Sequence, residues 1–181
     1  MSVEDRVRTA RVARARVGLA ATAAVLAALD LGLKAWARRA LADGTSVDLQ
    51  VIQLRLTFNP GVAFSLGDTL PSGVVLGVTG LIVAGLAVFA WRTARTATWP
   101  ARLGLAAMLA GAVANLADRA ADGVVTDYLH SGWFPTFNLA DVFLTLGAAT
   151  LVLASLRTTD ATTDATTDGT TDGTSVRDAA P

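Results

Sequence analysis

The chain has 181 residues, 52% of them apolar, and a mean hydropathy of +0.49; it is too hydrophobic for an ordinary soluble domain and long enough for one membrane domain only. Fifteen basic and fifteen acidic residues cancel to a formal net charge of zero, and no nucleic-acid partner is expected. With no cysteine in the chain, disulfide staples, thiolate zinc sites and a cysteine nucleophile are all excluded.

Residues 1–16 form a basic arm carrying Arg6, Arg8, Arg11, Arg14 and Arg16. Four apolar stretches follow, near 17–37, 71–91, 101–119 and 138–156, each close to the ~20 residues that a helix needs to cross the hydrocarbon layer. The expected fold is an all-α membrane protein with four transmembrane helices in a single domain over 17–157. Arg92, Arg95 and Arg102 between the second and third stretches belong on the same side as the basic arm. The positive-inside rule makes that side cytoplasmic, so both termini are expected inside, with segments 38–70 and 120–137 on the extracytoplasmic face. An alternative for the first stretch is a secretory signal ending at Ala40-Leu41-Ala42, but Asp30 and Lys34 interrupt what should be an uncharged core.

On the first helix Asp30 and Lys34 are four apart and can pair on one face; alternatively Lys34 snorkels to the interface. Val47 to Phe58 partly alternates polar and apolar residues and ends at the turn signal Asn59-Pro60-Gly61, the pattern of a small sheet lying on the outer membrane surface. Gly73 with Gly77 and Ala107 with Gly111 have the small-residue spacing that lets helices approach in lipid. In the third helix Asn115 can face the same groove as Asp118 or Arg119, although Arg119 would also suit a simple headgroup anchor. Asp127, beside Tyr128, lies in an expected loop. Asn138 and Asp141 have the spacing of a helix N-cap and its N3 acid. From residue 158 the chain repeats Thr-Thr-Asp, a low-complexity tail expected to be disordered.

Two carboxylates, Asp127 and Asp141, thus fall where the chain leaves and re-enters the membrane, and an ionisable residue at membrane depth is a functional candidate by default. If they converge, one pKa rises and the pair shares a proton, giving one acid and one base for hydrolysis without a metal or other cofactor. A small proton-coupled carrier or channel would also place such residues among helices, but with a polar face running across the bilayer. His130 is the only histidine, which excludes a His-Glu-x-x-His zinc site.

Taken together, Asp30…Lys34, Asn59-Pro60-Gly61-Val62-Ala63-Phe64-Ser65, Asn115-Leu116-Ala117-Asp118-Arg119, Gly123-Val124-Val125-Thr126-Asp127-Tyr128 and Phe137-Asn138-Leu139-Ala140-Asp141 resemble, in order and spacing, bacterial lipoprotein signal peptidase, or signal peptidase II. The resemblance covers roughly residues 15–157. It implies four helices with a sheet cradle on the outer leaflet of the bacterial cytoplasmic (inner) membrane, and an aspartyl endopeptidase cleaving diacylglyceryl-modified prolipoproteins before the lipid-modified cysteine. It further implies inhibition by globomycin and contact with membrane lipids. Asp127 and Asp141 would inherit the catalytic role, and Asp30, Lys34, Asn59, Asn115, Arg119 and Asn138 the supporting ones; Asp118 would not be catalytic. Ala114 stands where the family usually has glycine, and Thr126 and Tyr128 stand where valine and phenylalanine are common.

Overall fold

The computed structural model describes residues 2–60 and 71–167, with side chains through 156. The Gly61–Ser65 part of the turn motif and the tail from 168 lie outside the described residues. Helix α1 spans Val3–Ala40, β1 Val47–Asp48, β2 Gln53–Asn59, α2 Ser72–Thr93, α3 Trp99–Asp122, β3 Val125–His130 and α4 Leu139–Thr167. All four helices contain a stretch long and apolar enough to cross a membrane, and the chain is a multi-pass membrane protein.

The basic arm is the first part of α1. Ser2 and Asp5 form a reciprocal capping box at its start, which satisfies two otherwise unpaired helix-end donors. Helix α3 is the hub, packing most extensively on α4 and then on α1 and α2. Its contact with α4 is close because glycines meet there: a Cβ on Gly104 would lie 2.9 Å from the Gly147 carbonyl, and one on Gly147 would lie 2.6 Å from the Gly104 carbonyl. Gly111 similarly faces the Ala140 carbonyl, whereas Gly73 and Gly77 face open space. The expected small-residue contact therefore holds for α3 and not for α2. The core is itself small-grained, with Ala23, Ala27, Ala90, Ala106, Ala110, Ala114 and Ala140 packed around Leu19 and Leu105, since without a hydrophobic driving force in lipid close packing is what binds helices. Ala114 is fully buried in that core.

The sheet is antiparallel in the order β1-β2-β3. The sequence anticipated β1 and β2 but not β3, because Val125 through Tyr128 are buried at successive positions and so show no alternation. Asp127 is consequently a strand residue, paired opposite Thr57, and not a loop acid. Gly123 ends α3 in the left-handed conformation at φ 76°, where glycine avoids the Cβ clash, and the chain turns directly into β3. Helix α4 continues to Thr167, so residues 158–167, expected to be disordered, are helical: once a helix is nucleated, each added residue gains a hydrogen bond.

Candidate functional site

The site is built where the start of α4, strand β3 and the last turns of α1 and α3 meet. The first three N–H groups of α4 have no intrahelical partner, and each is taken by a side chain. Leu139 N donates to the Tyr128 hydroxyl (3.3 Å), Ala140 N to Asp30 Oδ1 (2.9 Å) and Asp141 N to Asn138 Oδ1 (3.0 Å). Asp141 Oδ2 accepts the Asn138 N–H in return at 3.2 Å, completing the capping box expected from the spacing. Burial pushes the Tyr128 phenol pKa up, so it stays a neutral hydroxyl that accepts from α4 while its ring fills the space beside Ala37 and Leu41.

From this anchored turn, hydrogen bonds run through every polar residue singled out in the sequence except Arg119. Lys34 Nζ lies 3.0 Å from Asp30 Oδ2 and donates to Asn115 Oδ1 at 2.6 Å. Asn115 Nδ2 donates to Asp141 Oδ1 at 2.9 Å. Asn138 Nδ2 donates to Asp127 Oδ1 at 2.7 Å, and Asn59 Nδ2 to Asp127 Oδ2 at 3.2 Å. Asn59 reaches Asp127 because it lies two residues beyond Thr57 on the facing strand and so shares its side of the sheet. Asp30 and Lys34 are thus an ion pair in the protein interior, 0% and 1% exposed, not an interfacial lysine with a passenger.

Asp127 is 2% exposed. Burial, then the neighbouring Asp141 charge, raise its pKa from 3.8 to about 6, against the lowering effect of the Asn138 and Asn59 hydrogen bonds. One carboxyl poised near neutrality beside a half-buried partner can exchange a proton with water or with a bound amide. Arg119 lies within electrostatic range of Asp118, Asp127 and Asp141, and its buried Nε has no hydrogen-bond partner among the described residues.

A second cluster, which the sequence did not disclose, buttresses the first. Asp118 Oδ1 accepts from Arg38 Nη2 at 2.6 Å, and Asp118 Oδ2 accepts the Thr126 N–H at 2.6 Å and lies 3.5 Å from Lys34 Nζ. Arg38 also donates to Thr126 Oγ1 at 2.6 Å, pairs with Asp122, and stacks over the Phe58 ring. The threonine at 126 therefore ties the first residues of β3 to α1 and α3. Arg38 was detectable as the next i+4 step of the Asp30–Lys34 face, but next to Arg39 it looks like an interfacial anchor.

The family described as signal peptidase (SPase) II matches residues 22–157 of this chain. The lipoprotein signal peptidases of Brucella ovis and of Brucella abortus are each 36% identical to it over 130 residues, covering 69% of this chain and 81% of theirs. A bacterial membrane enzyme solved by the in meso method at 2.3 Å is similar in fold, with a TM-score of 0.64 at 21% identity over 87% of this chain and 95% of its own. A second such structure, at 1.9 Å, has a TM-score of 0.62 at 22% identity over 77% of this chain and 92% of its own. With the family match running through all four helices and both carboxylates, the chain belongs to the signal peptidase II family of peptidases.

Proposed function

We propose that the chain is an aspartyl endopeptidase that removes signal peptides from diacylglyceryl-modified prolipoproteins, cutting before the lipid-modified cysteine, with Asp127 and Asp141 as its catalytic dyad. The observation that carries this reading is Asn138, whose side-chain amide donates to Asp127 Oδ1 and whose backbone N–H donates to Asp141 Oδ2, in a site where burial and the Asp141 charge raise the Asp127 pKa to about 6. With one proton shared between them, the ionised carboxylate takes a proton from water as the water oxygen bonds to the scissile carbonyl carbon. The protonated carboxyl donates towards the carbonyl oxygen, and collapse of the tetrahedral intermediate breaks the C–N bond as the amine receives a proton. The dyad titrates as a unit, so acid and base are properties of the pair. Asn59, Asn115 and Asn138 orient the carboxylates, the Asp30–Lys34 pair anchors α4 and Asn115, and Arg119 is available to a substrate carbonyl.

The clustering of polar side chains at one end of the helix bundle favours this reading over a carrier, which needs a polar path through the membrane. The arginines of the first turns of α1 and of the α2–α3 connection support cytoplasmic termini in a bacterial inner membrane, with the dyad on the extracytoplasmic side. Globomycin is the expected inhibitor. The test uses purified Asp127→Asn and Asp141→Asn enzymes with a diacylglyceryl-modified prolipoprotein: both should remain folded and lose far more than the ~10²–10⁴-fold of a single acid–base group. Turnover near the wild-type rate in either variant would falsify the dyad.

A further inference from the structure

At the far end of α1 from the carboxylates lies a concave site of about 450 Å³, between the early turns of α1 and the start of α3. Arg11 and Arg14 of α1 and Arg102 of α3 line it, with Leu19, Leu103 and Trp99 forming an apolar wall. The stretch of α1 between Arg14 and Lys34 spans about 30 Å at ~1.5 Å per residue, so the cavity is one hydrocarbon thickness from the carboxylate site.

The three guanidinium groups have no ion-pair or hydrogen-bond partner among the described residues, unlike Arg16, which donates to the Trp91 carbonyl and lies over its ring, or Arg38 with its two carboxylates. Among the described residues no acid lines the cavity. Arg11 and Arg14 are exposed and Arg102 half-buried, so water screens part of their repulsion, and an anion among them would offset the rest. Helix α3 adds to the positive potential: it begins at Trp99, and its Thr98 cap makes no side-chain hydrogen bond, leaving first-turn N–H groups and the positive end of the dipole at the cavity mouth. A free anion would use the arginines alone. The wall of leucine and indole beside them fits a molecule whose charged group continues into hydrocarbon, and Trp99, 67% exposed, is the residue type that sits at headgroup depth.

We propose that this cavity binds the phosphodiester headgroup of an anionic phospholipid, with Arg11, Arg14 and Arg102 around the phosphate and the glycerol and first acyl carbons against Trp99, Leu19 and Leu103. The site is separate from the peptidase centre and does not depend on the dyad assignment. Full-length protein in dodecyl maltoside is mixed with dioleoyl-phosphatidylglycerol or dioleoyl-phosphatidylcholine, and bound lipid is measured by native mass spectrometry. Phosphatidylglycerol should bind preferentially, and Arg11→Gln/Arg102→Gln should weaken it by about tenfold or more. Arg6→Gln/Arg92→Gln, which removes the same charge from the same end, should leave binding within about twofold of wild type. Arg11→Lys/Arg102→Lys should restore much of the affinity, which a folding defect would not allow. Equal binding of the two lipids, equal loss in both glutamine variants, or displacement of the lipid by millimolar inorganic phosphate would overturn the proposal.

Discussion

The Asn138 side chain joins Asp127 to the first turn of α4, which carries Asp141, and replacing it separates holding the site from tuning it. Its Nδ2 donates to Asp127 Oδ1 at 2.7 Å, and its Oδ1 accepts the Asp141 N–H at 3.0 Å. Asn138→Ala loses both bonds. Asn138→Ser keeps a capping oxygen but is too short to reach Asp127. An Asn cap replaced by Ala costs about 0.5–2 kcal/mol, whereas Ser ranks with Asn as a cap, so thermal stability should fall further in the alanine variant than in the serine one. The lost bond to Asp127 acts on its ionised form and is worth about 1.5–3 kcal/mol. At about 1.36 kcal/mol per pK unit, its removal should carry the second ionisation of the pair, in which Asp127 loses its proton beside a charged Asp141, up by about one to two pH units. The sign follows from the hydrogen bond, which lowers the pKa of Asp127 from where burial and Asp141 would otherwise put it. The assay is kcat/KM against pH on a diacylglyceryl-modified prolipoprotein, alongside thermal unfolding. Both variants should show the alkaline limb displaced to higher pH. A serine variant more stable than the alanine one but with a wild-type alkaline limb, or one displaced to lower pH, would refute the reasoning.

Gly111→Ala should lower both thermal stability, by about 1–3 kcal/mol for overpacking, and kcat, because the new methyl collides with the Ala140 carbonyl in the turn that carries Asp141; unchanged values of both would contradict the close α3–α4 contact. Asp118→Asn should reduce the level of folded protein while retaining partial activity. Breaking a buried pair costs about 3–5 kcal/mol, discounted to roughly 2–3 because the Arg38 side chain remains 30% exposed, and a fully folded, inactive variant would instead make Asp118 part of the chemistry. Because the Asp127 carboxyl is raised to about 6 from 3.8, the folded state binds that proton more tightly than the unfolded one. Its stabilising contribution is present below the unfolded value and lost as pH rises through about 6; wild-type unfolding temperatures should fall across that window more than those of Asp127→Asn, and parallel curves would count against the shift. A cysteine introduced at Gln50 should react with an impermeant maleimide from the extracytoplasmic side, and labelling only from the cytoplasm would reverse the topology.

The helices were legible because each crosses hydrocarbon as one apolar run, and run length is a property that sequence displays directly. The α4 cap was legible for a similar reason: Asn138 and Asp141 interact within one turn, so their spacing is the geometry. Strand β3 was not, because it is buried at four successive positions, and the alternation that marks a half-covered strand is absent. Arg38 and Thr126 were hidden for a different reason. Arg38 reaches Asp118 and Thr126 across 80 and 88 residues of chain, and only the meeting of α1, α3 and β3 gives the cluster a role. The structure also changes the meaning of the Asp30–Lys34 pair. Asp30 caps α4 and Lys34 reaches Asn115 and Asp118, so removing both residues would not restore a neutral, satisfied site.

That interdependence gives the proposed dyad a reason to hold a single proton. Around the site stand four carboxylates, Asp30, Asp118, Asp127 and Asp141, and three cations, Lys34, Arg38 and Arg119, within ion-pair or electrostatic range of them. Asp122 pairs with Arg38 at an exposed position, where water screens it. Asp30 and Asp118 are held by Lys34 and Arg38 at 2.6–3.5 Å, which leaves the Asp127–Asp141 pair with Arg119 and only the residual field of an already paired Lys34. Two ionised carboxylates against one guanidinium in a low-dielectric setting carry an uncompensated charge, and one shared proton removes it. The outer pairs do not touch the reacting atoms; by occupying Lys34 and Arg38 they leave too little positive charge to ionise both members of the dyad. A site that hydrolyses a peptide with two aspartates needs that shortage, because full ionisation would leave it with two bases and no acid.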